Sequence, residues 1–96
     1  MPGFLDVEEA RRMIAEGAVV VDVRTLDEWN EGHAEGSILL PLHELAGRHQ
    51  ELPQGKPVLL VCRSGARSGQ AAVYLCHHGL DAHNLGPWQR NPGHVE

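Results

Sequence analysis

Seven consecutive residues, Cys62-Arg63-Ser64-Gly65-Ala66-Arg67-Ser68, hold most of the chemistry that this 96-residue chain offers. A thiol stands first. Two guanidiniums and two hydroxyls follow, and Gly65 and Gly69 let the backbone curl. The thiolate is the nucleophilic form of cysteine, and its pKa falls to about 3.5–7.5 beside cations or a helix N-terminus. Arg63 and Arg67 add two positive charges that never deprotonate. Glycine accepts positive φ at low cost, so several N–H groups can converge on one anion. The pattern reads as a nucleophilic Cys62 at the mouth of a loop built to hold an oxyanion.

Such a loop needs a strand before it and a helix after it. Pro57-Val58-Leu59-Leu60-Val61-Cys62 supplies the strand, an apolar run of the kind buried on both faces of a parallel sheet. Helical spacing follows over 70–78, through Ala71, Ala72, Leu75 and Cys76, with Gly79 as its stop. Upstream, Asp6-Val7-Glu8-Glu9 has the form of a capping box that opens a helix over 7–16. Residues 18–23 read as a second buried strand. Thr25-Leu26-Asp27-Glu28 is another capping box, opening a short helix over 26–31. Ile38-Leu39-Leu40 reads as a short strand, 42–50 as a helix, and Ala82 to Leu85 as a last strand. Beyond Pro87 there is room for one helical turn around Trp88 to Arg90. Alternating strands and helices predict a three-layer α/β fold with a parallel sheet, whose ligands bind at the carboxyl ends of the strands.

One domain from residue 1 to 96 fits this length, without repeats or linkers. The formal net charge of −5 argues against nucleic-acid or anionic-membrane partners as the main role. That total hides an asymmetry. Residues 1–35 carry nine acids against three bases, and residues 36–96 carry four against five. A basic spot beside a cysteine in an acidic protein suggests a small anionic substrate. Two cysteines and no CxxC are too few for a disulfide scaffold. No apolar run approaches a membrane span and no leader pattern is present, so a soluble cytoplasmic protein is expected. No histidine shows metal-ligand spacing, and no metal or cofactor is expected.

Other residues read as structural. Cys76 is expected in the core, and Arg24 is expected to pair with Glu28 and tie strand to helix. His33 is assigned to its turn. Trp29, Trp88 and Phe4 are expected to pack in the core or against helix ends.

Cys62 to Ser68 resembles the active-site loop of rhodanese-family sulfurtransferases. Asp22-Val23-Arg24-Thr25-Leu26-Asp27-Glu28-Trp29, continuing to Ser37, is similar to that family's upstream signature, and Asn84-Leu85-Gly86 with Trp88 to its C-terminal element. The resemblance implies a rhodanese-like fold with a five-stranded parallel sheet. It also implies a ping-pong reaction, in which Cys62 takes sulfur from thiosulfate as a persulfide and passes it to cyanide or a thiol, including a thiol on a protein. Arg63 and Arg67 would hold the sulfonate, and the Ser64 and Ser68 hydroxyls the sulfurs. Four residues separate Cys62 from Arg67, where phosphatases sharing the fold have five. The family's Gly-Gly pair is absent, and the C-terminal element is shortened after Leu85. The alternative is a binding or sulfur-carrier module of the same fold with little turnover of free substrates.

Overall fold

Four short runs line up as one parallel sheet in the computed structural model, which describes residues 3–92. They are β1 (Val19–Asp22), β2 (Ile38–Leu39), β3 (Val58–Cys62) and β4 (Ala82–Pro87), in the order β2-β1-β3-β4. β1 and β3 are central and apolar because both of their faces are covered. Val21, Leu60 and Cys62 look toward Leu45, Leu52, Ala71 and Leu75 on one side. Val20, Leu59 and Val61 look toward Ala10 and Leu85 on the other, with Met13 and Ile14 packed behind. The helices making these outer layers are α1 (Val7–Ala15), α3 (Leu45–Arg48) and α4 (Ala66–His77), while α2 is Leu26–Glu31.

Among the described residues the sheet has four strands, one fewer than the resemblance implied. Along the β4 edge the N-terminal segment makes one backbone bond, Leu5 N–H to Asn84 O at 2.8 Å. Asp6 then caps α1 through the N–H groups of Glu8 and Glu9, so the chain turns away before a strand forms.

Three further expectations are corrected. The segment over 42–50 is broken into a 3₁₀ turn at Leu42–Glu44, the single turn of α3, and a second 3₁₀ turn at His49–Glu51. The helix after the loop starts at Ala66, four residues earlier than its apolar spacing suggests, because Gly65 in the left-handed region (φ +103°) closes the loop at once. Cys76 is exposed and outside the core. The buried stripe of α4 is Ser68, Ala71, Ala72 and Leu75, and the next residue is turned about 100° around the axis to the margin of the sheet, where Cys76 Sγ donates to Ala82 O at 3.4 Å.

β1 feeds β2 on one side of the sheet, and β3 feeds β4 on the other. Between β1 and β3 the connections depart in opposite directions, which leaves a crevice beyond their carboxyl ends. Asp22 and Cys62 finish those two strands. In β4 a bulge sets Leu60 opposite Asn84 and Val61 opposite Gly86, leaving Leu85 as the extra residue. Gly86 (φ +100°) permits the kink, and the ring of Phe4 lies against both Gly86 and Gly65, where any Cβ would collide with it.

Candidate functional site

Cys62 is fully buried at the end of β3, and its surroundings are donors. The Gly65 N–H points at Sγ from 3.0 Å and the Ser68 hydroxyl lies 3.4 Å away. Burial pushes the thiol up. Against it stand the Ser68 hydroxyl, when its one proton faces the sulfur, and the N–H groups of Ser68, Gly65 and Ser64, and Cys62 lies below the ordinary thiol range. The amides converge because α4 begins directly after Gly65, so its unpaired N-terminal N–H groups face the strand end. Charge therefore settles on this sulfur chiefly through dipoles.

The two arginines of the loop part company. Arg67, in the first turn of α4, donates from both terminal guanidinium nitrogens, Nη1 and Nη2, to the Glu28 carboxylate at 2.7 and 2.9 Å. Glu28 at the same time completes the capping box of α2, accepting from Thr25 N at 3.0 Å while Thr25 Oγ1 accepts from Glu28 N at 3.2 Å. The Arg67 guanidinium, with help from Thr25, lowers the Glu28 carboxyl to about 2. Arg63 is exposed and makes no hydrogen bond or ion pair with any described residue. It borders a cavity of about 200 Å³ together with Arg24, Glu31, Gly32, Trp88 and Gln89.

Of the other loop residues, Ser64 is exposed and serves the sulfur through its backbone N–H, Ala66 is exposed at the first position of α4, and Ser68 is buried. The structure thus gathers Cys62, Ser64, Gly65 and Ser68 around one sulfur, commits Arg67 to Glu28, and leaves Arg63 open to solvent.

Arg24 is not paired with the Glu28 carboxylate. Its guanidinium grips Asp22 at 2.9–3.1 Å and donates to the carbonyl oxygens of Glu28 (3.3 Å) and Gly32 (2.7 Å). The strand is tied to the helix through backbone carbonyls, leaving the Glu28 carboxylate to Arg67. The Arg24 guanidinium also stacks over Trp88 at 4.8 Å. Trp29 is half-buried and stacks on His33 at 3.6 Å, and His33 Nδ1 bonds Trp29 O at 2.9 Å, so His33 belongs to its turn.

Two residues at the site escape a reading of the sequence. Glu28 shows there as a cap and as the expected partner of Arg24, not of Arg67. Asn84 shows only as part of a motif, yet its carboxamide spans the loop: Nδ2 donates to Gly65 O at 3.0 Å, while Oδ1 accepts from Ser68 Oγ at 2.7 Å and from Gly86 N at 3.0 Å. The bulge beside it, marked in sequence by Asn84-Leu85-Gly86, is the available signal. Among the described residues no three His, Cys, Asp or Glu side chains gather as a metal-holding group, and no helix is long and apolar enough to cross a membrane.

This arrangement sits within a wider likeness. A family model described as a rhodanese-like domain matches residues 6–86. A sulfurtransferase of Allochromatium vinosum is 38% identical over 81 residues, covering 82% of this chain and 76% of that one. The thiosulfate sulfurtransferase GlpE of Pseudomonas entomophila is 39% identical over 73 residues, covering 76% of this chain and 67% of its own length. The crystal structure of reduced Bacillus anthracis CoADR-RHD superimposes with a TM-score of 0.80 at 31% identity, over 91% of this chain and 16% of that one.

Proposed function

The chain belongs to the rhodanese-like domain family, and we propose that it is a sulfurtransferase whose nucleophile is Cys62. The observation that carries this reading is a buried sulfur ringed by amide donors, next to a guanidinium that has no partner among the described residues. The Cys62 thiolate attacks the outer sulfur of thiosulfate, or of a donor with the same sulfane bond. A new S–S bond forms, the donor's S–S bond breaks, and its electron pair leaves on sulfite. The persulfide anion inherits the N–H groups of Ser64, Gly65 and Ser68. Cyanide or a thiol then attacks the outer sulfur and returns Cys62 as thiolate.

Arg63 meets the anionic donor at the cavity beside Arg24 and Trp88. Arg67, neutralised by Glu28, anchors α2 to the first turn of α4 and so fixes the amides in place. No cofactor enters this cycle, because each step is a displacement at sulfur.

Intact-mass spectrometry of the protein after thiosulfate should show one added sulfur, lost on cyanide treatment and never seen in Cys62→Ser. Failure of wild-type protein to gain sulfur would sink the reading. Thiocyanate release from free thiosulfate and cyanide then separates an enzyme from a carrier: a carrier gains the sulfur yet turns over slowly.

A further inference from the structure

The Ser68 hydroxyl has one proton and two acceptors within reach. Asn84 Oδ1 is 2.7 Å from Ser68 Oγ, and Cys62 Sγ is 3.4 Å away. Both distances fall inside hydrogen-bonding range for their atom types, but one proton serves one acceptor well. The shorter contact claims it. Asn84 is well placed to keep that claim, because its own orientation is fixed on three sides. Nδ2 is spent on Gly65 O, and Oδ1 also receives Gly86 N, so the amide cannot turn over without breaking both bonds. Gly65 and Gly86 are in turn held under the ring of Phe4. Ser68 and Cys62 are fully buried, so no solvent competes for the hydroxyl.

We propose that Asn84 is a positioning residue that keeps the Ser68 proton off the Cys62 sulfur, leaving backbone amides as that sulfur's donors. Its use rests on the sulfur-transfer reading, because a thiolate loses intrinsic nucleophilicity as its basicity falls. A fourth donor on the sulfur would raise the thiolate fraction and blunt each thiolate. Withholding it leaves an anion that is stabilised enough to form and basic enough to attack.

The charged groups at this end of the sheet are Asp22 at the end of β1, Arg24 just beyond it, Glu28 and Glu31 of α2, Arg67 of α4, and Arg63 in the loop. None of these carboxylates and guanidiniums forms a thiolate, which is the anionic form of cysteine alone. The titration of Cys62 can therefore be followed by thiolate ultraviolet absorbance on the full chain, with Cys62→Ser subtracted to remove exposed Cys76 and Tyr74. In Asn84→Ala the freed hydroxyl turns to the sulfur, and the midpoint should fall by about one pH unit. Adding Ser68→Ala should abolish that fall.

A merely structural Asn84 gives the opposite sign, because a loosened loop misaims the amides and the thiol rises. A rise, no change, or a fall that survives Ser68→Ala overturns the proposal. Should Asn84→Ala not fold, Ser68→Ala alone decides: the proposal expects an unmoved midpoint, and a rise near one unit overturns it. None of these readouts depends on sulfur transfer, so failure of that reading shows separately, in the mass of the thiosulfate-treated protein.

Discussion

The two central strands end side by side, and each ends on a buried group that carries or can carry negative charge. β1 ends on Asp22 and β3 on Cys62, both fully buried. Their partners differ in kind. Asp22 faces a counter-ion, the Arg24 guanidinium, with the Arg24 N–H adding a fourth contact at 3.0 Å. Cys62 faces amide dipoles and a hydroxyl. A charge matched by a buried counter-charge is locked, since changing either partner strands the other in low dielectric. A charge matched by dipoles is exchangeable, because N–H groups at a helix start tolerate thiol, thiolate or a longer anion on the same spot. The lesson is local: equal burial makes one strand end a rivet and leaves the other free for chemistry.

The largest effect expected from testing that contrast is on the rivet. Asp22→Asn leaves the Arg24 guanidinium buried without its carboxylate, and unfolding by denaturant should show a loss of about 3–5 kcal/mol. A loss under about 1 kcal/mol would mean that the pair does not lock β1, and the contrast would fall. Cys62→Ser removes no counter-ion and should unfold close to wild type under the same conditions.

Next comes the clamp between the two ends. Glu28→Gln breaks the twin bonds to Arg67 and weakens the cap of α2, a change on the order of 1 kcal/mol for a pair that solvent partly screens. Its pH dependence has a definite sign. The folded carboxyl lies at about 2, below the ordinary value near 4.3. The clamp therefore stabilises fully above about pH 5, and its contribution fades as pH falls toward 2. Denaturation curves at neutral pH and near pH 3 should differ less for Glu28→Gln than for wild type. Equal differences would remove Glu28 from the acid response.

What the sequence discloses and what it hides follow from distance along the chain. The loop is legible because its parts are consecutive, and two β-branched or leucine-rich runs mark the central strands. α2 is legible from Thr25 to Glu28 because a capping box is complete within four residues. The Glu28–Arg67 pair spans 39 positions and the Asn84–Ser68 bond spans 16, so neither leaves a local trace. The start of α4 escapes the pattern because apolar spacing reports a buried stripe, whereas Gly65 sets the boundary through its φ. Cys76 is misplaced by the pattern for a related reason: its apolar neighbours in sequence are not its neighbours in space once Leu75 closes the buried face. That no fifth strand forms among the described residues reflects a contest at Leu5, where one bond to β4 is followed at once by the cap of α1.

The smallest effect on folding is expected at Arg63, and it sharpens the comparison most, because Arg24 is the same residue type just beyond the other strand end. Arg24 has its donors spent on Asp22 and two carbonyl oxygens, whereas Arg63 is exposed and has none spent on a described residue. Arg63→Ala should therefore shift unfolding by less than about 0.5 kcal/mol, as exposed substitutions do. Its cost should fall on the donor instead. A guanidinium at a solvent-facing cavity contributes attraction for an anion before the sulfur transfer begins, so the thiosulfate concentration needed to load Cys62 should rise about tenfold. The rate at saturating thiosulfate should change little, because that attraction is present in the bound state and the transition state alike. Half-saturation measured by intact mass gives the first quantity and loading at saturation the second. An unchanged half-saturation would show that the unpaired charge beside β3 is not what recognises the donor.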